Sequence, residues 1–266
     1  MRRTLLAALC VLAVPAPALA QRSSAGDSTF SWEGQIPEGS WIKVRSLNGD
    51  VSVEPGDGNV TRVRGEKQWR RGDPSEVRFE VFRDGSNVVI CALWHEEATC
   101  DEDGAHYPRD RERRGDRNND VSVDFTVVLP RGVKVDVGTV NGGLDVRGAS
   151  SEVEAHTVNG RVEASTLRGP VNASTVNGSI RVRMDALEGT DALEYSTVNG
   201  SITVELPANF QAEVDMSTVN GGVRLDFPVT VSGRMSPRRL RGTIGGGGRR
   251  VKLSTVNGSI ELRKLS

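Results

Sequence analysis

Apolar residues in this chain come in pairs separated by one variable position, and the pairs recur. In the second half they read Leu144/Val146, Val162/Ala164, Ile180/Val182, Ile202/Val204, Val223/Leu225 and Ile260/Leu262. Between them lie Val153/Ala155, Val171/Ala173, Leu193/Tyr195 and Val251/Leu253. From 144 to 180 a pair returns every nine residues. Alternation with a period of two predicts short strands that bury one face. Every second unit follows a Thr-Val-Asn-Gly motif, at Thr139, Thr157, Thr175, Thr197, Thr218 and Thr255. The full period is 18 residues, stretching to 22 and 21, with a gap of 37 before the last motif. A variant, Ser46-Leu47-Asn48-Gly49, stands near the front.

Two architectures use such a pattern. Asn-Gly between alternating strands is a strong hairpin signal. A two-residue hairpin would set Val176 against Ser179, Thr175 against Ile180 and Val158 against Arg161. Apolar then opposes polar, which a half-buried sheet does not tolerate. A solenoid removes the conflict, because each residue stacks on its counterpart one rung away, ~4.8 Å off. The reading is therefore all-β: a right-handed parallel β-solenoid with rungs of 18–22 residues, preceded by an irregular strand-rich part. Each Asn-Gly would turn a corner, where Gly, and Asn more readily than most, adopts positive φ. The 37-residue gap is expected to hold an irregular rung or loop. The charged C-terminal strand Ile260–Lys264 suits a final edge. Thr139, Thr157, Thr175, Thr197, Thr218 and Thr255, with Asn141, Asn159, Asn177, Asn199, Asn220 and Asn257, form the candidate ladder. They have opposite parity to the motif valine, taken as buried, so both are expected to point outward. The plainer reading is an architectural ladder of asparagine amides.

The front half alternates less regularly, at 41–44, 51–53, 60–63, 77–82, 88–93 and 121–129, and holds all four tryptophans. It either caps the stack or begins it irregularly. The predicted organisation is a signal peptide at 1–20, a strand-rich region at 21–130 and the repeat solenoid at 131–266.

Composition sharpens this picture. The chain has 266 residues, 30 of them Gly, and only 5% are aromatic. That excludes a helical bundle and fits a thin aliphatic core. A net charge of −1 argues against a nucleic-acid partner, which needs local positive charge. The leader has Arg2 and Arg3, an apolar stretch from Leu5 to Val14 and Ala18-Leu19-Ala20, the pattern of a cleaved secretory signal. Ten apolar residues are too few to span ~30 Å of hydrocarbon, so no transmembrane segment is expected in the mature chain. The expected location is the periplasm or surface of a bacterium.

After cleavage only Cys91 and Cys100 remain, and in an oxidising compartment they are expected to pair. His95, Glu96, Glu97, Asp101, Asp103 and His106 crowd the same stretch, yet the spacing C-x3-H-x4-C-x5-H fits no compact zinc pattern well. Segment 101–120 carries seven acids and five arginines and reads as a solvated loop. Phosphate-loop, dinucleotide and nucleophile-elbow motifs are absent. The reading has no catalytic residues, metal site or cofactor. Arg234, Arg238, Arg239, Arg241, Arg249, Arg250 and Lys252 lie in an acid-free stretch with Gly245–Gly248, and are the candidate anion-binding residues of a mobile basic loop.

Thr-Val-Asn-Gly-Ser-Ile at 175–180, 197–202 and 255–260, Val127–Val133 and the Gly245–Gly248 run resemble the putative-adhesin β-strand-repeat family of exported bacterial proteins, a domain of unknown function. More distantly they resemble adhesin-head domains. The resemblance covers about residue 40 to the end. It implies a β-solenoid at the cell envelope, with adhesion as the family's label. The expected function is a non-enzymatic exported binding or structural module. Its partners would be envelope glycans, anionic lipids or another envelope protein. One alternative is a polysaccharide-active β-helix enzyme, for which Asp145 and Glu163 are stacked carboxylates. The other is an envelope-stress accessory protein binding anionic lipid or glycan through 234–252.

Overall fold

A computed structural model describes residues 28–108, 119–232 and 236–265, and the backbone of Gln21–Arg22. The leader 1–20, residues 109–118 of the charged segment and Arg234 lie outside the described residues.

Two long sheets face each other. The first runs, in spatial order, β1 (Gln21–Arg22), β6 (Arg78–Asp84), β7 (Asn87–Leu93), β3 (Trp41–Arg45), β11 (Lys134–Gly138), β13 (Val153–His156), β15 (Val171–Ser174), β17 (Leu193–Ser196), β23 (Arg249–Asn257), β19 (Ala212–Asn220), β22 (Arg239–Ile244) and β21 (Val229–Val231). The second runs β2 (Thr29–Gln35), β5 (Val60–Gln68), β10 (Ser122–Leu129), β4 (Val51–Pro55), β12 (Leu144–Ala149), β14 (Val162–Thr166), β16 (Ile180–Met184), β18 (Ile202–Leu206), β24 (Ile260–Lys264) and β20 (Val223–Leu225). A small ribbon pairs β8 (Thr99–Cys100) with β9 (Ala105–His106).

A strand of each sheet, joined at a corner, makes one rung. The rungs stack as β3–β4, β11–β12, β13–β14, β15–β16, β17–β18, β23–β24 and β19–β20. They are parallel and in register, with Val162, Ile180, Ile202 and Ile260 in one column. Val135, Val153 and Val171 form another. Like stacks on like, as the solenoid reading requires.

The rung order departs from chain order. The C-terminal strand β24 is no edge: it pairs with β18 on one side and β20 on the other. Likewise β23 lies between β17 and β19. The cause is β22, which pairs antiparallel with the far side of β19. That edge is thereby closed, so β19–β20 must be terminal and the last motif enters beneath it. The charge on β24 sits on its outer face, where Glu261 meets Arg224 and Arg263. The 37-residue gap thus holds β20, the capping strands β21 and β22, and most of β23.

The front half both begins the stack and caps it. Strands β3–β4 form the first rung, with the Asn48 variant at its corner. Strand β10 pairs parallel with β4, and β5 and β2 follow it antiparallel. One apolar cluster runs from Phe30 to Leu262, so the core is shared across residue 130.

Aromatics plug both ends of the thin core. Phe30 stacks on Phe79 at 4.7 Å, and Phe125 meets Phe79 edge-on at 5.9 Å. At the other end Phe210 and Phe227 lie 5.9 Å apart. Between them the core is Val, Ile, Leu and Ala with Met184 and Met216, and Tyr195 is the aromatic exception. Its ring is fully buried, and its hydroxyl has no hydrogen-bond partner among the described residues. Burial also pushes the phenol's pKa up. A buried, unsatisfied hydroxyl costs ~1–3 kcal/mol. Tyr195→Phe is therefore expected to stabilise the fold by about 1 kcal/mol, read as a higher denaturant midpoint. A loss of stability would show that the hydroxyl is satisfied.

Candidate functional site

The feature that repeats most faithfully is the Asn-Gly corner, and its four residues have four different roles. Thr continues the inward face of its strand: in rung β15–β16, Val171, Ala173 and Thr175 are all buried. Its hydroxyl donates to the carbonyl of the preceding rung's corner glycine, as from Thr175 to Gly160 at 3.0 Å and from Thr197 to Gly178 at 2.9 Å. Thr139, Thr157, Thr218 and Thr255 do the same. This reverses the outward orientation expected for threonine. The motif valine is the outward residue, with Val176, Val198 and Val256 each 39% exposed.

Asparagine is exposed and forms one continuous amide ladder. Each Nδ2 donates to the Oδ1 of the rung before, at 2.7–2.8 Å, through Asn48, Asn141, Asn159, Asn177, Asn199, Asn257 and Asn220 in that order. Glycine is required for contact more than for φ. Among the corner glycines only Gly49 and Gly258 have positive φ. At Gly142, Gly160, Gly178 and Gly200 a Cβ would lie 1.9 Å from the preceding glycine's carbonyl oxygen. Each glycine N–H from Gly49 to Gly258 donates to the asparagine carbonyl of the next rung at 2.9–3.0 Å.

The outcome is a straight strip along one side of the stack. In three consecutive rungs it reads Ser, Val, Asn, Ser: Ser174, Val176, Asn177, Ser179; Ser196, Val198, Asn199, Ser201; Ser254, Val256, Asn257, Ser259. No residue of these three rungs' strip is charged, although 26% of the chain is. Its backbone is tied rung to rung, so it is rigid.

The sequence profile of one family, Toastrack DUF4097, matches residues 35–263. The chain belongs to that family. No curated protein matches the chain. A structure from Clostridium sporogenes described as a putative cell adhesion protein aligns over 89% of this Toastrack chain and 100% of its own, at 8% identity and a TM-score of 0.47. A putative adhesin from Bacteroides fragilis aligns over 91% and 99%, at 10% identity and a TM-score of 0.38.

The Toastrack chain places the other sequence candidates as follows. Cys91 and Cys100 are joined, so neither thiol is available to a metal. Their loop covers Val89, Leu93 and Ala98, a second small cluster on the outer face of the first sheet. Glu80 accepts from the backbone N–H of Cys100, and Arg78 donates to the carbonyls of Glu96 and Ala98. Replacing both cysteines by alanine is expected to cost about 2–3 kcal/mol, while leaving the rungs intact. Calorimetry of the double variant would measure it, and an unchanged Tm would contradict the assignment.

The Arg-rich stretch is mostly strand, not a mobile loop, because β22 and β23 occupy it. Arg241 and Arg239 face Asp215, and Lys252 holds Glu194 at 2.6 Å. Arg249 is buried and donates to the carbonyls of Glu188, Gly189 and Asp191. Burial lowers its pKa, against the pull of Asp191 and Tyr195. Arg238 and Arg250 are exposed with no side-chain partner among the described residues.

Asp145 and Glu163 do stack on adjacent strands. Arg147 holds Asp145, and Glu163 lies 4.0 Å from both Arg161 and Arg181. Both carboxylates thus face arginines of the same sheet face.

One group escaped the sequence reading. Asp136, Glu154 and His156 bring ligand-type atoms within 4.8 Å of one another, as do Asp101, Asp103 and His106 on β9's loop. In the first, Arg45 donates to both oxygens of buried Asp136, and His156 Nδ1 lies 2.8 Å from Ser174 Oγ. Burial and the Asp136 charge raise the pKa of Glu154. Both Asp136 oxygens are taken by Arg45, so this cluster reads as an ion pair. Only register could have found it, since Asp136 lies one rung away from Glu154 and His156.

Proposed function

We propose that this chain is an exported, non-enzymatic binding module of the bacterial envelope, and that the Ser-Val-Asn-Ser strip is its contact surface. The observation that carries the proposal is the strip itself: uncharged, rigid and repeated at rung spacing. Stacked amides, hydroxyls and methyls suit a neutral, extended polymer, so an envelope glycan is the favoured partner. An anionic surface is less favoured, because most of the basic stretch is engaged within the fold. Export rests on the leader at 1–20. No helix among the described residues is long and apolar enough to cross a membrane.

The test is Val176→Lys/Val198→Lys/Val256→Lys in one chain. Lysine is chosen because added positive charge would raise non-specific binding to an anionic envelope. The proposal expects an unchanged Tm and at least about tenfold weaker pull-down of purified envelope polysaccharide, a loss of about 1.4 kcal/mol. Undiminished binding by the folded variant would overturn it.

A further inference from the structure

The chain contains seven Asn-Gly steps, the dipeptide most open to deamidation because glycine leaves the backbone nitrogen unhindered. In six of them that nitrogen is engaged. Gly49, Gly142, Gly160, Gly178 and Gly200 donate to the carbonyls of Asn141, Asn159, Asn177, Asn199 and Asn257, and Gly258 donates to Asn220. The seventh glycine, Gly221, follows Asn220 on the terminal rung. No rung lies beyond it; Thr218 and Val223 on either side donate to the carbonyls of Arg238 and Pro237, but the Gly221 N–H has no acceptor among the described residues. Asn220 is exposed and its Oδ1 accepts nothing there, whereas the other six Oδ1 atoms each accept one bond. The neighbouring Val219 is 56% exposed, more than any other motif valine.

We propose that Asn220 is a site of spontaneous covalent modification, and that the amide ladder protects the other six. The nitrogen of Gly221 attacks Cγ of Asn220. The N–Cγ bond forms, the Cγ–Nδ2 bond breaks, the amide proton passes to solvent base and ammonia leaves. Water then opens the succinimide at either carbonyl, giving aspartate or isoaspartate. At the other six corners the attacking N–H is held in a rung-to-rung bond, so reaction must wait for that rung to open. At Asn220 the attacking N–H carries no such bond among the described residues, so only the exposed side-chain bond from Nδ2 to Asn257 Oδ1 need break. The product exchanges the Nδ2 donor facing Asn257 Oδ1 for an oxygen, so two acceptors face each other at the end of the ladder. The terminal rung is weakened where it is already least supported.

The sequence supplies its own control. Thr139-Val140-Asn141-Gly142-Gly143 and Thr218-Val219-Asn220-Gly221-Gly222 are identical pentapeptides, so local sequence cannot separate their rates. The folded protein is incubated at mildly alkaline pH and mapped by peptide mass spectrometry, with isoaspartate read separately. A second sample is incubated in denaturing urea. The expected result is conversion at Asn220 at least about tenfold faster than at Asn141 when folded, and equal rates when unfolded. Equal folded rates, or fastest conversion at Asn257, would overturn the proposal. An Asn220→Gln chain should lose the early product and retain its Tm to within a small change. Persistence of the early product in that chain would also count against it.

Discussion

Deleting residues 249–266 is expected to unravel the C-terminal third of the stack, not trim its edge. The segment supplies β23 and β24, and both are interior. Val251, Leu253, Ile260 and Leu262 are each at most 2% exposed. Burying one such side chain contributes ~1.5–3 kcal/mol, so the four together approach the whole stability of an ordinary domain, about 5–15 kcal/mol. Their removal also leaves β17–β18 with a bare face and β19–β20 with no rung beneath it. Stability in a stacked array is a sum of neighbour interfaces, and this deletion abolishes two at once. Hydrogen exchange should show 193–206 and 212–244 losing protection together, while 134–166 keeps it. Retained protection at 212–225 in the deleted chain would contradict the rung order.

The second large effect is Gly178→Ala. The new methyl would stand 1.9 Å from the carbonyl oxygen of Gly160, and that oxygen already accepts the hydroxyl of Thr175. No rotamer relieves a Cβ clash, so the rungs must part. The expected cost is about 3 kcal/mol or more, the upper end of overpacking. Ser179→Ala, on the exposed next residue, loses only the bond its hydroxyl accepts from Ser201 N–H at 3.2 Å and should cost no more than about 1 kcal/mol. Denaturant melts of the two variants give the comparison. A mild Gly178→Ala phenotype would mean the corner glycines serve backbone conformation alone.

Much of this was legible in the sequence. Nine-residue pairs and Asn-Gly corners specify a stack because only stacking sets like against like. The inward threonine was legible too: Val153, Ala155 and Thr157 alternate without a break, and the outward valine follows. The glycine's purpose was not, because close approach to another rung leaves no trace in local sequence. Rung order was hidden for a deeper reason. Val223/Leu225 and Ile260/Leu262 are both acceptable partners for Ile202/Val204, so a repeat carries no address. The address lies in β22, whose antiparallel pairing with β19 closes that edge. The basic stretch misled for a similar reason, since its acidic partners Asp215 and Glu194 sit on neighbouring strands far back in the chain.

This order also constrains folding. Rung β19–β20, though β22 can already pair with it, has no neighbouring rung until β23–β24, synthesised after it, is in place. Docking of the C-terminal strands is thus the step that joins the cap to the stack.

Paired cysteines test the central claim most directly. Ser259 N donates to Ser201 Oγ at 3.2 Å across adjacent rungs. Adjacent rungs are ~4.8 Å apart, within the ~4.4–6.8 Å that a disulfide spans. The account predicts that Ser201→Cys/Ser259→Cys crosslinks under mild oxidation in the folded chain, and that Ser201→Cys/Gly222→Cys does not. A crosslink between 201 and 222, with none between 201 and 259, would contradict it.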